Sequence, residues 1–375
     1  MSGIYIHIPF CKQACHYCDF HFSTSLKHKT HLVKSINKEL FLRKSELKSE
    51  FIETIYFGGG TPSLLSPDEI RSILKTIFND FEVVLNPEIT FEVNPDDIDE
   101  NYLKVIKKLG VNRLSIGIQS FFSNDLNLMN RSHDALQAEQ VLELVSKYFK
   151  NFSVDLIYGT PGLTNEMWIK NIDTVLKYNT PHISSYALTI EKDTALSHFI
   201  NKGIVKPVSD EQSQEQFQIL VNKLIDVGFI HYELSNFGKP NKFSKNNSSY
   251  WNGGLYLGIG PSAHSYNGKT RSWNIANNLK YISSISKGIL PSDVEVLTKI
   301  DRYNERIMTG LRTMWGVSFI QIEKDFGKDY LVYLKNRSKS FIKEGLLVID
   351  AGALIATSKG KFLVDGIASD LFKLN

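Results

Sequence analysis

Alternating strand-like and helix-like segments constrain the fold of this chain more than any other sequence feature. Over the first 190 residues or so, runs of β-branched and aromatic residues predict strands at Ile4–Ile8, Thr54–Phe57, Ile89–Val93, Arg113–Ile118, Phe152–Tyr158 and Ile183–Leu188. Apolar residues at helical spacing predict helices at His31–Lys48, Pro67–Asn79, Glu100–Lys108, Ala135–Tyr148 and Asn165–Lys177. Such alternation is typical of β/α units around a parallel sheet, so we predict an α/β fold with a partial six-unit barrel.

Two further segments carry local signals. Ser66 before Pro67 and Glu69 has the chemistry of a helix N-cap, which predicts a sharp helix start. A helix is predicted at Asp210–Val227. The stretch Asn236–Ser249 is rich in Asn, Ser, Lys and Gly and predicts a long surface loop.

The pattern changes after about Pro291. Helices are predicted at Lys299–Met314, Ser318–Phe326 and Leu331–Glu344, a hairpin at Leu346–Ile349 with Ala353–Thr357, and a last helix near Lys359–Leu374. This order resembles a winged-helix module, but the helices are mixed in charge and predict no nucleic-acid binding. We therefore divide the chain into a core barrel (1–235), a connecting segment (236–290) and a C-terminal helical module (291–375).

Composition narrows the class of protein further. The net charge of +3 over 375 residues gives no strong electrostatic argument for nucleic acid, although slight basicity permits peripheral membrane contact. No run of eighteen apolar residues predicts a membrane span, and the amino terminus lacks the pattern of a secretory signal. We expect a cytoplasmic protein.

The three cysteines of the chain stand together at Cys11, Cys15 and Cys18, directly after the first predicted strand. An odd number within eight residues cannot form a disulfide framework. A structural zinc ion needs four ligands, and His16 or His21 would complete a Cys3His set. A four-iron, four-sulfur (4Fe–4S) cluster held by three cysteines keeps one iron open for a small molecule. Spacing alone favours the cluster over zinc.

The segment YIHIPFCKQACHYCDF resembles the radical S-adenosylmethionine (SAM) superfamily, in its branch of proteins similar to oxygen-independent coproporphyrinogen III oxidase. The resemblance implies that Cys11, Cys15 and Cys18 hold a 4Fe–4S cluster, that Tyr17 is the aromatic residue of the motif, and that SAM chelates the open iron. It also implies that the C-terminal module is of the kind found in the oxidase HemN.

The same resemblance implies a set of SAM contacts near the carboxyl ends of the predicted strands, where barrel enzymes place their sites. These contacts are Tyr5, Gly58, Gly59, Thr61, Glu92, Gln119, Arg131, Asp155 and Ala187. Apart from the resemblance, the charges of these residues complement those of SAM. Acidic side chains can pair with its sulfonium and amine, and an arginine can pair with its carboxylate. The catalytic residues stay unknown.

Two functions within the branch remain open. The oxidase carries a longer segment ahead of the cluster and a fourth cysteine, whereas this chain begins ten residues before Cys11 and has Phe20 at the corresponding position. Both departures resemble HemW-type heme chaperones, which bind heme and transfer it to hemoproteins. The alternatives are an oxygen-independent coproporphyrinogen III oxidase and a zinc-stabilised interaction protein.

A heme site is implied by a His-Asn-x-x-Tyr-Trp stretch of the chaperone branch. This chain has Asn246 in the place of the histidine and keeps Tyr250 and Trp251. Heme iron usually takes imidazole, thiolate, thioether or phenolate, so Asn246 does not supply the expected ligand, and His231 and His264 are candidate substitutes. Aromatic residues are candidates for a porphyrin pocket: Tyr250, Trp251, Tyr256, Tyr266 and Trp273.

Two kinds of partner are expected from the resemblance. The first is a hemoprotein that accepts heme, and the second is an electron donor that reduces the cluster.

Overall fold

The computed structural model describes residues 2–48 and 50–374. Its strands are β1 Ser2–Ile8, β2 Ile52–Gly59, β3 Val83–Val93, β4 Arg113–Gln119, β5 Phe152–Tyr158, β6 His182–Ala187, β7 Ile230–Glu233, β8 Asn236–Gly238, β9 Leu255–Ile259, β10 His264–Tyr266, β11 Thr270–Asn274, β12 Ser292–Val296, β13 Val317–Ser318, β14 Leu347–Asp350 and β15 Ala353–Ala356. Its helices are α1 Lys29–Arg43, α2 Pro67–Asp80, α3 Glu100–Lys108, α4 Ser123–Leu128, α5 Ala135–Tyr148, α6 Asn165–Lys177, α7 Ala195–Asn201, α8 Asp210–Asp226, α9 Lys245–Trp251, α10 Asn278–Ser286, α11 Lys299–Leu311, α12 Phe319–Phe326, α13 Lys328–Arg337, α14 Lys339–Lys343, α15 Ser358–Lys361 and α16 Val364–Asp370.

The first six strands form the predicted parallel barrel sheet. β1 to β6 pair in sequence order and in parallel, each joined to the next through a helical connection. Within the described residues the whole sheet has twelve strands in the order β12-β11-β10-β9-β1-β2-β3-β4-β5-β6-β8-β7, and it does not close on itself. The predicted cap is confirmed, because Ser66 Oγ accepts from the Glu69 amide and the Glu69 carboxylate accepts from the Ser66 amide.

Alternation along the strands separates an apolar outer face from a polar inner face. In β1, Ile4, Ile6 and Ile8 are fully buried against the helices. Tyr5 and His7 point to the opposite side, since successive strand residues face opposite ways. In a common α/β barrel the interior is a packed apolar core, whereas here it is polar, which leaves it suited to a bound ligand.

The predicted surface loop at Asn236–Ser249 is wrong. This stretch contains β8, which pairs antiparallel with β6, and most of helix α9. Several of its polar residues are buried, and hydrogen bonds hold the segment in place: Ser244 caps α9, and the Glu88 carboxylate accepts the amide hydrogens of Lys245 and Asn246. Composition indicated a loop because buried polar residues with partners look like exposed ones in a sequence.

A buried carboxylate ties α1 to the added strands on one side of the sheet. Glu39 is fully buried and accepts from Arg43 Nη1 at 3.1 Å. It also accepts from the Asn274 side chain at 2.7 Å, the Tyr281 hydroxyl at 2.6 Å and the Gly260 amide at 2.9 Å. These bonds join one helix to β9, β11 and α10, so the position of the added strands depends on this carboxylate.

The C-terminal module has its own apolar core and a small sheet in the order β13-β15-β14. The predicted hairpin is confirmed as β14 and β15. The predicted helix at Leu331–Glu344 is two helices, α13 and α14, which meet at Ser338, and the last predicted helix is α15 followed by α16. Among the described residues, none of the helices combines the length and apolar character that crossing a bilayer requires.

Glu39→Gln is expected to lower the free energy of unfolding by about 3 kcal/mol, because it leaves Arg43 buried without its full counter-charge. Glu46→Gln is the matched control: Glu46 also pairs with Arg43 but is 44% exposed, so we expect a loss below about 1 kcal/mol. Urea unfolding at pH 7 measures both. Equal losses would contradict the assigned role of Glu39.

Candidate functional site

The three cysteines lie in a loop that leaves the carboxyl end of β1 and folds back on itself. The amide of Cys11 donates to the Ser23 carbonyl at 3.1 Å, and that of Ser23 donates to the Pro9 carbonyl at 2.9 Å. All three thiols are free and half-buried. Burial raises the pKa of Cys11 to about 11. Burial therefore favours the neutral form of the Cys11 thiol in the protein alone.

The described residues do not form a site for a single metal ion. No group of three or more His, Cys, Asp or Glu side chains among them is gathered closely enough for one ion. The two histidines that would complete a zinc site bond elsewhere: His16 Nδ1 lies 2.9 Å from the Leu128 carbonyl, and His21 Nε2 lies 2.8 Å from Asn278 Oδ1. A 4Fe–4S cluster does not require its cysteine thiols to converge on one point, because each cysteine binds a different iron.

Arg131 links the cysteine loop to the ends of β3 and β4. Its Nη1 donates to Cys15 Sγ at 3.4 Å, and its Nη2 donates to Asn94 Oδ1 at 2.6 Å and to the Gly117 carbonyl at 2.8 Å. Its Nε is buried without a hydrogen-bond partner. A buried guanidinium with a spare donor beside thiols fits an anionic ligand, such as the carboxylate of SAM.

The turn after β2 comes close to both the cysteine loop and the barrel interior. A Cβ on Gly60 would lie 2.6 Å from the Phe10 carbonyl oxygen, and one on Gly58 would lie 3.0 Å from Glu92 Oε1. Gly59 has a φ of +107°. A side chain at Gly60 would clash with the backbone, and one at Gly59 would be strained, so glycine lets the turn approach the cysteine loop and the barrel interior closely. Thr61 follows, buried and bonded to the Asn94 side chain at 3.1 Å.

Two carboxyl groups face the barrel interior near this turn. Glu92 accepts from the Tyr56 hydroxyl at 2.8 Å and from the Gly59 amide at 3.1 Å, and burial raises its pKa to about 7. Asp155 accepts from Ser115 at 3.2 Å, and burial raises its pKa to about 6. A cation in this space would favour the ionised form of both acids.

The remaining predicted positions lie around the same space. Tyr17 packs with Leu126, Met129 and Ile157 beside Arg131, and Gln119 ends β4 with a φ of +70°, a strained conformation of the kind that clusters at functional sites. Tyr5 stacks on Tyr56 with ring centroids 6.0 Å apart. Ala187 is exposed at the end of β6, one residue after Tyr186.

Tyr186 indicates that the interior is open to water. Burial raises its pKa, yet 45% of its surface is accessible to solvent. A side chain that is both surrounded and accessible lines a concave space.

Two residues of this site were missed at the sequence level. Asn94 bonds to both Arg131 and Thr61, and Tyr56 bonds to Glu92. The signal for Asn94 was present in FEVNP, because a residue two positions after Glu92 faces the same side of a strand.

A second candidate site is a cavity of about 690 Å³ between the added strands and the C-terminal module. Its aromatic residues are Tyr250, Trp251, Tyr256, Tyr266 and Phe326, and its charged residues are Arg271, Arg302, Arg306, Glu305 and Asp325. Its volume is in the range of small-molecule and cofactor sites.

The structure separates the sequence-predicted heme residues into two groups. Tyr250 and Trp251 line the cavity. Asn246 does not, since it is buried and its Oδ1 accepts from Thr54 Oγ1 at 3.2 Å. His231 is buried beside Lys361, and His264 stacks on Trp273, so neither histidine lines the cavity.

Comparison with known proteins agrees with this architecture. A family model of the radical SAM superfamily matches residues 5–175, and one of the HemN C-terminal domain matches residues 297–363. The parallel sheet with its three-cysteine loop is therefore that of a radical SAM protein.

The heme chaperone HemW of Bacillus subtilis is 32% identical over 371 residues, which cover 97% of each chain. That of Lactococcus lactis is 31% identical over 376 residues, which cover 98% of each chain. The chain belongs to the HemW family.

A solved structure shows the same fold. It is coproporphyrinogen III oxidase (HemN) from Escherichia coli, described as a radical SAM enzyme, with a TM-score of 0.86 and 23% identity. The match covers 99% of this chain and 90% of that one. The oxidase and this protein therefore share the barrel and the C-terminal module.

Glu92→Gln is expected to stabilise the cluster-free protein more at high pH than at low pH. Because the pKa of Glu92 is raised from 4.5 to about 7, its ionisation destabilises the fold between those pH values. The free energy of unfolding of the variant minus that of the wild type should rise by about 2–3 kcal/mol from pH 5 to pH 8. Urea unfolding at each pH measures this difference, and a difference independent of pH would contradict it.

Proposed function

We propose that this protein is a heme chaperone that carries a 4Fe–4S cluster and SAM at the barrel mouth and binds heme in the cavity beside the C-terminal module. The observation that carries the proposal is that Tyr250 and Trp251, from the heme-associated segment of the family, both line that cavity. Membership of the HemW family supports it. Transfer of the heme to acceptor hemoproteins in the cytoplasm, and reduction of the cluster by an electron donor, complete the proposal.

The cluster ligands in this proposal are Cys11, Cys15 and Cys18. A cluster held this way supplies an open iron for the amino and carboxylate groups of SAM and an electron when it is reduced. Arg131 holds the loop through Cys15 and offers its unpartnered Nε to an anionic group. The remaining residues assigned to SAM surround the same space: Tyr5, Tyr17, Gly58, Gly59, Thr61, Glu92, Gln119, Asp155 and Ala187.

Glu92 and Asp155 take the cationic side of SAM. Both acids are neutral over much of the range below pH 6–7, since burial raises their pKa values to about 7 and about 6. A bound sulfonium and amine offset the cost of ionising them. The strength of SAM binding is therefore coupled to the ionisation of these two residues.

The heme site uses the wall of the cavity rather than residue 246. Asn246 is already bonded to Thr54 and fixes the start of α9 against β2. The described residues that line the cavity include no histidine or cysteine, so the available iron ligands are the Met308 thioether and the tyrosine phenols. Tyr250 and Trp251 provide apolar surface for a flat ring.

Anaerobic reconstitution with iron and sulfide is expected to load about four irons per chain, because three cysteines with an open iron suit a 4Fe–4S cluster. Cys15→Ser should lose most of this iron. His16→Gln and His21→Gln should keep it, since both histidines bond away from the cysteines. Iron, sulfide and zinc are measured by elemental analysis. Equimolar zinc that is lost in either histidine variant would support the zinc alternative instead.

Heme titration of the reconstituted protein is expected to give about one heme per chain. Trp251→Ala should weaken heme binding about tenfold, because it removes an aromatic wall of the cavity. Trp273→Ala is the matched control, since Trp273 is an aromatic residue of the neighbouring strand that lies outside the cavity lining.

Asn246→His distinguishes this site from the family pattern. We expect no gain in heme affinity, because the side chain at position 246 is buried, bonds to Thr54 and is not part of the cavity lining. Heme binding by the variant alone would contradict the proposal for this chain. The oxidase alternative is tested in the same preparation by anaerobic conversion of coproporphyrinogen III to protoporphyrinogen IX, for which we expect no activity.

A further inference from the structure

Two arginines on α11 face the cavity without a counter-charge. Arg302 and Arg306 are one helical turn apart and both line the cavity. Neither forms an ion pair with any residue the structure describes, whereas the third cavity arginine, Arg271, pairs with Glu305 at 2.8 Å. The Nε of Arg302 is buried with no hydrogen-bond partner.

This arrangement is unfavourable in the absence of a ligand. Like charges four residues apart on a helix repel each other. The other cavity acid, Asp325, accepts instead from the Gln321 side chain at 2.7 Å. Among the described residues, the side chain of Arg306 has one hydrogen bond, from Nη1 to the Asn252 carbonyl at 3.3 Å. The pair therefore has free donors for an anionic ligand.

The opposite wall of the cavity limits the kind of anion. Tyr250 and Tyr256 pack edge to face with ring centroids 4.6 Å apart, and Tyr266 continues the wall at 6.1 Å from Tyr256. Such a wall fits a flat apolar ring. The two guanidinium groups, separated by a turn of helix, suit two separate carboxylates better than one compact anion.

We propose that Arg302 and Arg306 bind the two propionate carboxylates of a tetrapyrrole whose ring lies against Tyr250, Trp251 and Tyr256. This proposal rests on the proposed heme-chaperone function and adds the groups that orient the ring. The arginines fix the acidic edge near α11, and the ring fills the apolar side of the cavity.

The test compares heme with its dimethyl ester, in which both propionates are blocked. We expect Arg302→Gln/Arg306→Gln to weaken heme binding about tenfold or more, because charge-assisted hydrogen bonds are lost. The ester should bind equally to wild type and variant, and more weakly than heme to the wild type. Lys324→Gln/Lys328→Gln is the matched control: it removes two positive charges from the same module at exposed positions outside the cavity.

The outcomes separate this proposal from the proposed function. Equal affinity of the wild type for heme and for the ester, or an unchanged affinity for heme in the arginine variant, would overturn the arginine proposal and leave heme binding intact. If the wild type binds no heme, the proposed function fails, and metal-free protoporphyrin IX then tests the arginines. If the wild type binds protoporphyrin IX and the arginine variant does not, the arginine proposal is supported. If the wild type does not bind protoporphyrin IX, the arginine proposal is overturned. Unchanged far-ultraviolet circular dichroism and iron content show that the variants fold.

Discussion

The central position of β1 is the constraint on which the rest of the molecule depends. This strand pairs in parallel with β2 on one side and with β9 on the other. Its isoleucines anchor it to the helical layer, so its direction and register are set by burial of one face. As a result, the cysteine loop emerges at the carboxyl edge of the sheet, beside the glycine turn of β2.

The same constraint explains how much of the molecule was predictable from sequence. Period-two and helical patterns predicted β1 to β6 and, of the helices between them, all except the short α4, because each of these elements buries one apolar face. The three cysteines predicted a cluster site in the loop after β1, and the assignment of these ligands stays a prediction. Helix α9 was missed because its buried polar residues depend on Glu88 and Thr54, which are distant in sequence. Long-range hydrogen bonds leave no periodic signal, so α9 was not predictable. Four of the five aromatic residues named as pocket candidates do line the cavity, namely Tyr250, Trp251, Tyr256 and Tyr266, whereas Trp273 does not.

The cysteine loop and part of the cavity wall lie at different levels along β1. Gly3 near the start of β1 is level with Tyr256, a residue of the cavity wall, whereas Cys11 follows the end of β1. At about 3.3 Å per residue, the strand separates them by roughly 15–20 Å. The two sites are nonetheless in contact electrostatically, because the phenol of Tyr250, a residue of the cavity wall, interacts with Glu92 of the barrel site.

Both sites are marked by groups whose interactions are incomplete in the protein alone. Glu92 and Asp155 are carboxyls held in an environment that favours their neutral form, and Arg302 and Arg306 are like charges on one helix face. Each arrangement costs folding free energy, whereas the Glu39 network with its complete set of donors stabilises the fold. In the functions proposed above, a cation at the barrel mouth and a dicarboxylate in the cavity supply the missing charges, so that ligand binding offsets the free energy that these groups cost the fold.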